Sequence, residues 1–176
     1  GRPEAGGPDD GIEVGELIER RGHRCGAQQA RVFGAADLWH LDDLAAEVRA
    51  TWVFLTVRDG DGRVLGTGWA LNECSVENLN RQGVLDTILE IDQRPVSSFG
   101  CDGVLVSTPT GSTEYAFSAG SPVLWPELES ILVVPSNAHA LFSRPLVVSP
   151  NSSVAVETNP MTSPATAVMD GFRQIH

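Results

Sequence analysis

Residues 103–115 read Gly-Val-Leu-Val-Ser-Thr-Pro-Thr-Gly-Ser-Thr-Glu-Tyr, an apolar run followed by a loop of hydroxyl side chains. The run at 103–106 has the short, continuous apolar character of a buried strand. The loop then leads into the helix-like Tyr115-Ala116-Phe117, so that backbone N–H groups and hydroxyl oxygens can converge at a helix N-terminus, where phosphate, ribose or amide groups bind. The pattern predicts a binding loop. The alternative is a Ser/Thr-rich turn whose hydroxyls only cap the next helix.

The wider stretch 100–115, followed by Ser-Ala-Gly-Ser-Pro at 118–122, resembles a motif of the NAD kinase family. The family pattern is Asp-Gly, then Thr-Pro-Thr-Gly-Ser-Thr-Ala-Tyr, then Ser-Ala-Gly-Gly-Pro, and the match is most similar to actinobacterial members. An Asn72-Glu73 pair after the apolar residues 69–71 and the segment 135–150 carry the same resemblance. Together they cover roughly residues 52–156, which is much more specific than a lone glycine motif.

The resemblance implies an enzyme that transfers a terminal phosphoryl group to the 2′-hydroxyl of the adenosine ribose of NAD, forming NADP. The donor would be ATP, or polyphosphate as in some bacterial members. Such a transfer depends on alignment of the reactants and on charge neutralisation by Mg²⁺. The resemblance also implies a homo-oligomer, a dimer or tetramer in which a loop of one subunit completes the site of its neighbour.

Carried over by position, the resemblance implies that Asn72 and Glu73 bind the adenosine end of NAD. It implies that the nicotinamide and ribose portions are held by Asp102, Ser112, Thr113, Tyr115 and Ser118. From the residues alone, Asn72 and Glu73 also suit a strand end that hydrogen-bonds its own turn, and Asp102 also suits a turn aspartate.

Two positions depart from the family pattern. Glu114 stands where the family has alanine, and its carboxylate would either repel the pyrophosphate or turn to solvent. Ser121 stands where the family has glycine, which would add strain of about 1 kcal/mol if that position had a positive φ.

The family's catalytic motif Gly-Gly-Asp-Gly-Thr does not occur in the 176 residues, so no catalytic residue is assigned. The sequence Asp-Gly-Asp-Gly at 59–62 lies between two apolar runs and predicts a hairpin turn. An alternative function is therefore a catalytically incomplete module that binds NAD without turnover. A further alternative is a structural sandwich whose exposed interdomain face drives self-association.

The predicted fold class is α+β, with a short α/β N-terminal remnant at 1–50 and an antiparallel β-sandwich-like domain at 51–176 that is incomplete at its C-terminus. Residues 11–23 resemble the first helix of the family's nucleotide-binding domain, whose remainder would need on the order of a hundred residues. Apolar periodicity predicts helices at 14–22 and 38–48, and one helix follows the hydroxyl loop. Strands are predicted at 53–57, 63–71, 85–91, 94–99, 103–107, 130–134, 146–148, 153–156 and 166–169.

The charge and residue content of the chain argue against several classes of function. The formal net charge is -11, and all 12 basic residues are arginine. An excess of negative charge repels nucleic acid, which argues against nucleic-acid binding. Because the chain has no lysine, only arginine or a metal ion can neutralise the negative charge of a bound phosphate. No apolar run approaches the roughly 20 residues of a membrane helix, and no signal peptide is recognisable. The sequence thus predicts a cytoplasmic protein without membrane contact. Cys25, Cys74 and Cys101 lack metal-site spacing, so no metal site is predicted and the thiols are expected to be inert.

Overall fold

The computed structural model describes residues 28–33, 52–80, 83–140, 143–159 and 164–176. These residues form twelve strands, one 3₁₀ turn and one short helix. The strands are β1 (Gln28–Phe33), β2 (Val53–Arg58), β3 (Val64–Ala70), β4 (Glu73–Asn78), β5 (Leu85–Ile91), β6 (Arg94–Cys101), β7 (Gly103–Ser107), β8 (Ile131–Ser136), β9 (Leu146–Val148), β10 (Val154–Thr158), β11 (Ala165–Met169) and β12 (Arg173–Ile175). The 3₁₀ turn is Thr110–Thr113, and the helix α1 is Tyr115–Ser118.

The strands form two antiparallel six-stranded sheets. Sheet A has the order β3-β2-β1-β10-β5-β6, and sheet B has the order β12-β11-β4-β7-β8-β9. Because side chains alternate between the two faces of a strand, each sheet turns one apolar row toward the other. Sheet A contributes Val53, Leu55 and Val156 to this core, and sheet B contributes Val104 and Val133. Burial of such rows is the main stabilisation of a two-sheet fold, and the predicted β-sandwich is confirmed.

A second, smaller core lies on the opposite face of sheet B, here called the outer face. Leu105 of β7 and Leu132 and Val134 of β8 pack there against Ala116 and Leu124. The chain that follows β7 therefore folds back over its own sheet and covers the outer face, with α1 in the middle of this cover. This packing decides where the residues after the hydroxyl loop can lie.

All nine predicted strands are confirmed; three have the predicted bounds, and the ends of the others shift by one or two residues. The Asp-Gly turn is confirmed as well, because Asp59 Oδ1 accepts hydrogen bonds from the backbone N–H groups of Asp61 and Arg63 at 3.0 and 2.9 Å. Gly62 in this turn has a φ of 80°, which glycine adopts without steric cost. The predicted helices at 14–22 and 38–48 lie outside the described residues.

Three strands were not predicted: β1, β4 and β12. In β4 the outward-facing residues Glu73, Ser75 and Glu77 are polar although the strand is buried on both faces, so its pattern looked like a strand exit. The three-residue β12 is too short for a periodic signal. β1 lies within 1–50, yet it pairs with both β2 and β10 in sheet A, so these six residues belong to the sandwich. The rest of the division at residue 50 stays a prediction.

Cys74 and Cys101 are both buried and unpaired, in agreement with the expectation that they act as small hydrophobic residues. Burial raises the pKa of both thiols, which disfavours the reactive thiolate. Among the residues described above, no helix is long and apolar enough to cross a membrane.

Candidate functional site

The outer face of sheet B carries an unusual row of polar groups on β4. Glu73, Ser75 and Glu77 alternate with the core residues Cys74 and Val76, so the three polar side chains share the outer face. Register places Glu73 opposite Ser107 of β7, and Glu77 opposite Gly103. The strand pairing therefore brings the acidic row of β4 beside the strand that leads into the hydroxyl loop.

The hydroxyl loop, Ser107–Thr113, is bound directly to the turn at Leu71 and Asn72 that precedes β4. The Thr108 hydroxyl donates to the Leu71 carbonyl at 2.7 Å, and the Thr108 N–H donates to the Asn72 carbonyl at 2.8 Å. The Ser107 hydroxyl also donates to the Asn72 carbonyl, at 3.1 Å. Two segments that are more than thirty residues apart in sequence thus form one hydrogen-bonded unit.

Gly111 makes this contact possible because it lies directly against the backbone of Asn72. A Cβ atom at position 111 would collide with the Asn72 carbonyl group and would lie 2.7 Å from the Asn72 Cα. Both neighbours are backbone atoms, which cannot move aside by a change of rotamer. The glycine of the predicted binding loop is therefore required by a close approach of two chain segments.

Ser112 is fully buried, and its hydroxyl is engaged within the protein. The hydroxyl donates to the Pro109 carbonyl at 2.6 Å and accepts a hydrogen bond from the Leu124 N–H at 2.9 Å. Ser112 therefore ties the loop to the segment that covers the outer face. It does not face an open site, although the resemblance implied that it holds NAD.

The first testable consequence concerns Ser112→Ala. The change removes one donor and leaves the buried Leu124 N–H without its acceptor, so we expect the free energy of unfolding to fall by about 1–3 kcal/mol. Urea denaturation of the wild-type chain and the variant measures the difference. Thr113→Ala is the matched control, because the exposed Thr113 hydroxyl makes only a 3.3 Å bond to Thr110. Equal losses for the two variants would contradict the role given to Ser112.

Three other residues that the resemblance assigns to NAD binding are more exposed to solvent than Ser112. Thr113, Tyr115 and Ser118 are exposed. α1 is a single turn, and its N-terminus has no side-chain hydrogen bond from the loop. The loop hydroxyls therefore do not cap α1. Those of Ser107 and Ser112 bond to backbone carbonyls, and that of Thr108 also accepts a hydrogen bond from the Gly111 N–H at 3.0 Å, at the start of the 3₁₀ turn.

Glu73 has an unusual environment for a carboxylic acid. Its side chain is buried, and Oε2 has no hydrogen-bond partner among the described residues. Burial, helped by the negative charges of Asp170, Glu114 and Glu77, raises the pKa of Glu73 to about 7, against a lowering effect from the Tyr115 backbone N–H. Desolvation favours the neutral form of the acid. Glu73 therefore gains or loses its proton near neutral pH.

Tyr115 connects this end of the outer face with the corner between β6 and β7. Burial raises the pKa of the Tyr115 hydroxyl, and the charges of Glu77, Asp102 and Glu73 add to this effect, while a hydrogen bond with the Ser136 side chain opposes it. At the corner, Asp102 is exposed, and its Oδ2 accepts a hydrogen bond from Asn137 Nδ2 at 2.8 Å. The Tyr115 hydroxyl therefore interacts electrostatically with Glu73 at one end of the outer face and with Asp102 at this corner.

Asp170, which was not predicted as a site residue, contacts the same turn from the other side. Its carboxylate accepts hydrogen bonds from the Leu71 N–H at 3.0 Å and the Asn72 N–H at 2.8 Å. The only sequence signal was the Asp-Gly pair after an apolar strand, which reads as an ordinary turn. Nothing in the sequence relates it to a turn 98 residues away.

The two departures from the family pattern have different outcomes. Glu114 is exposed, so its carboxylate is turned to solvent, yet its charge still contributes to the raised pKa of Glu73. Ser121 is not among the residues with a positive φ; that conformation falls on Gly120, at 85°. The expected strain at position 121 is therefore absent.

Within the residues that the structure covers, no group of three or more His, Cys, Asp or Glu side chains is arranged to hold a metal ion. The acidic row on β4 is spread along one strand. Within this row, the Glu77 carboxylate accepts a hydrogen bond from the Ser75 hydroxyl at 2.5 Å. The site offers carboxyl, amide and hydroxyl groups suited to the polar edges of a nucleotide.

Comparison with protein families gives a match to the ATP-NAD kinase C-terminal domain over residues 71–176. Among curated proteins, the NAD kinase of Corynebacterium jeikeium is 84% identical over 134 residues, which is 76% of this chain and 40% of that protein. The NAD kinase of Corynebacterium glutamicum is 70% identical over 133 residues, 76% of this chain and 45% of that protein. The chain therefore spans less than half the length of these relatives.

Among solved structures, an NAD kinase from Archaeoglobus fulgidus in complex with ATP aligns with a TM-score of 0.56 and 34% identity, over 61% of this chain and 42% of that one. Yeast NADH kinase complexed with NADH aligns with a TM-score of 0.58 and 20% identity, over 84% of this chain and 35% of that one. At that identity the yeast enzyme supports the fold alone.

Proposed function

The chain belongs to the NAD kinase family, and from this premise we propose that it carries the NAD-binding part of an enzyme that phosphorylates the 2′-hydroxyl of the adenosine ribose. In this proposal Asn72 and Glu73 bind the adenosine end of NAD. The remaining ribose and the nicotinamide portion are held by Asp102, Thr113, Tyr115 and Ser118. The buried hydroxyl of Ser112 keeps the loop that carries Thr113 in place.

One observation carries the proposal: the buried carboxyl of Glu73, whose Oε2 lacks a hydrogen-bond partner among the described residues. Leaving a buried polar atom unpaired costs free energy comparable to a lost hydrogen bond. A ribose hydroxyl or an adenine amino group is a donor that would satisfy this atom. Asn72, next in the chain, offers both a donor and an acceptor for the same ligand.

The side chain of Asn72 is available for this purpose. Among the residues that the structure describes, every hydrogen bond of Asn72 uses its backbone N–H or carbonyl group. The backbone therefore holds the turn in place, and the side-chain amide is left to recognise a ligand. Tyr115, which is 42% exposed, offers a ring face on which a planar base can stack.

The reaction itself is proposed as transfer of the terminal phosphoryl group of ATP, or of polyphosphate. The related archaeal NAD kinase was solved with ATP, which supports ATP as a donor. The Mg²⁺ that the family resemblance implies would bind through the phosphates of the nucleotide, as is common for this ion. The contribution of this chain is to bind and orient the acceptor ribose.

A second candidate is binding of NAD without turnover. It is favoured by the absence of the Gly-Gly-Asp-Gly-Thr motif from the 176 residues, since that motif carries the family's catalytic aspartate. The homo-oligomer and a separate remnant before the sandwich remain proposals that derive from family membership, and the cytoplasmic location remains a proposal that derives from composition.

The test is a calorimetric titration of the chain with NAD, together with an assay of NADP formation from ATP and Mg²⁺ and from polyphosphate. We expect Asn72→Ala to weaken NAD binding about tenfold, the effect of one lost polar contact of roughly 1.4 kcal/mol. Asn151→Ala, at an exposed turn, is the matched control and should bind as the wild type does. Binding with NADP formation supports the kinase, and binding alone supports the second candidate. No binding by the wild-type chain overturns both.

A further inference from the structure

The turn that carries Asn72 and Glu73 is held from two opposite sides. On one side, the carbonyl groups of Leu71 and Asn72 accept hydrogen bonds from Thr108. On the other side, the N–H groups of the same two residues donate to the carboxylate of Asp170 at 2.8–3.1 Å. The peptide unit between Leu71 and Asn72 is therefore held at both its carbonyl and its N–H, and the unit on each side of it is held at one group. This restraint of the backbone limits the directions in which the side chains of Asn72 and Glu73 can project.

Two further contacts hold Asp170 itself. Its N–H donates to the Glu73 carbonyl at 3.0 Å, and its φ of 49° places it in a left-handed turn that aspartate and asparagine tolerate better than most residues. Its Oδ2 accepts a hydrogen bond from Arg173 Nη2 at 2.8 Å. The Arg173 guanidinium in turn lies 3.9 Å above the centre of the Trp69 ring, an arrangement favoured by cation–π attraction.

Asp170, Arg173 and Trp69 thus form a chain of contacts that supports the Leu71–Asn72 turn, and both ends of this chain lie next to the turn. Trp69 lies two residues before Leu71 on β3, and it packs edge-on against Trp52 with ring centres 4.9 Å apart. The support therefore joins β3, the β11–β12 turn and the start of β4 in one unit. The side chains of Asn72 and Glu73 take no part in these contacts.

We propose that Asp170 is a positioning residue for nucleotide binding, which orients the Leu71–Asn72 peptide units so that Asn72 and Glu73 face the ligand. This inference rests on the proposed function, since it concerns how the same site is held in its binding geometry. Asp170 itself does not contact the ligand. Its charge has a second effect, because it is the strongest of the neighbouring charges that raise the pKa of Glu73.

The experiment uses the full chain and two variants, Asp170→Asn and Asp170→Ala. Asparagine retains one acceptor oxygen and tolerates the left-handed turn, but it removes the negative charge. Alanine removes both the acceptor and the charge. Asp59→Ala is the matched control, because Asp59 also accepts two backbone N–H groups in a turn, at the other end of β3.

Three quantities are measured: NAD affinity by calorimetry, hydrogen exchange at the Leu71 and Asn72 amides, and the titration of the Glu73 carboxyl by NMR. We expect Asp170→Ala to weaken NAD binding about tenfold or more, the effect of losing charge-assisted hydrogen bonds, and to speed exchange at both amides. Asp170→Asn should restore part of the affinity. Both variants should move the Glu73 titration to lower pH, whereas Asp59→Ala should change none of the three.

The outcomes separate this inference from the proposed function. If the wild-type chain fails to bind NAD while the Asp170 variants still change exchange and the Glu73 titration, the proposed function fails and Asp170 keeps only its role in holding the turn. If the wild-type chain binds NAD and the Asp170 variants bind it equally well, the positioning role is overturned. A loss of affinity equal to that of Asp59→Ala would overturn it as well.

Discussion

Gly111→Ala is expected to lower the free energy of unfolding by about 3 kcal/mol, at the upper end of overpacking effects. The added Cβ would collide with the carbonyl group of Asn72 and approach its Cα to 2.7 Å. Both obstacles are backbone atoms that Thr108 and Asp170 hold in place, so neither can yield by rotating a side chain. The loop must shift as a whole, and the hydrogen bonds between Thr108 and the Leu71–Asn72 turn would lengthen or break.

Urea denaturation, read by tryptophan fluorescence, measures this loss. Thr110→Ala is the control within the same loop, because the Thr110 side chain is exposed and surface substitutions usually change stability by less than about 0.5 kcal/mol. A midpoint for Gly111→Ala within the error of the Thr110→Ala midpoint would show that the close approach is not needed for stability.

The second large effect is a dependence of stability on pH that arises from Glu73. The unfolded chain releases the Glu73 proton near the ordinary value of 4.5, whereas the folded chain retains it up to a pKa of about 7. Between these two pH values the folded state binds more protons than the unfolded state, so raising the pH destabilises the fold. The loss is complete above about pH 7, and the size of the shift limits it to about 3 kcal/mol.

This contribution is measured as the difference in unfolding free energy between the wild-type chain and Glu73→Gln at pH 5 and pH 8. Glutamine resembles the protonated acid in shape and cannot ionise. We therefore expect the two proteins to differ little at pH 5 and the variant to be the more stable at pH 8. Glu127→Gln, at an exposed position, serves as the control. A difference that is the same at both pH values would mean that Glu73 ionises as freely in the folded protein as in the unfolded chain.

Much of the fold could be predicted because apolar runs and turn residues are local signals. The strands β5, β7 and β9 have the predicted bounds, and the hairpin turn at Asp59 follows from its Asp-Gly sequence. β4 was not predicted because the outer face of this strand is polar. The loop and α1 lie over that face, and the periodicity of the sequence does not reveal a contact between such distant segments. Packing of the following segment over the same face also explains why Ser112, which the sequence places in a polar loop, is buried and joins the loop to Leu124 by a hydrogen bond.

The sequence by itself determined the family, the β-rich architecture and the two segments around Asn72 and Ser112 that make up the candidate site. Their residue types and spacing are specific enough to be recognised without coordinates. Only the tertiary structure decided that Asp170 holds the Asn72 turn, that Gly111 must lack a side chain and that the pKa of Glu73 is raised. These properties depend on distances and burial between segments far apart in the chain, and a linear pattern does not encode which distant backbone groups will meet.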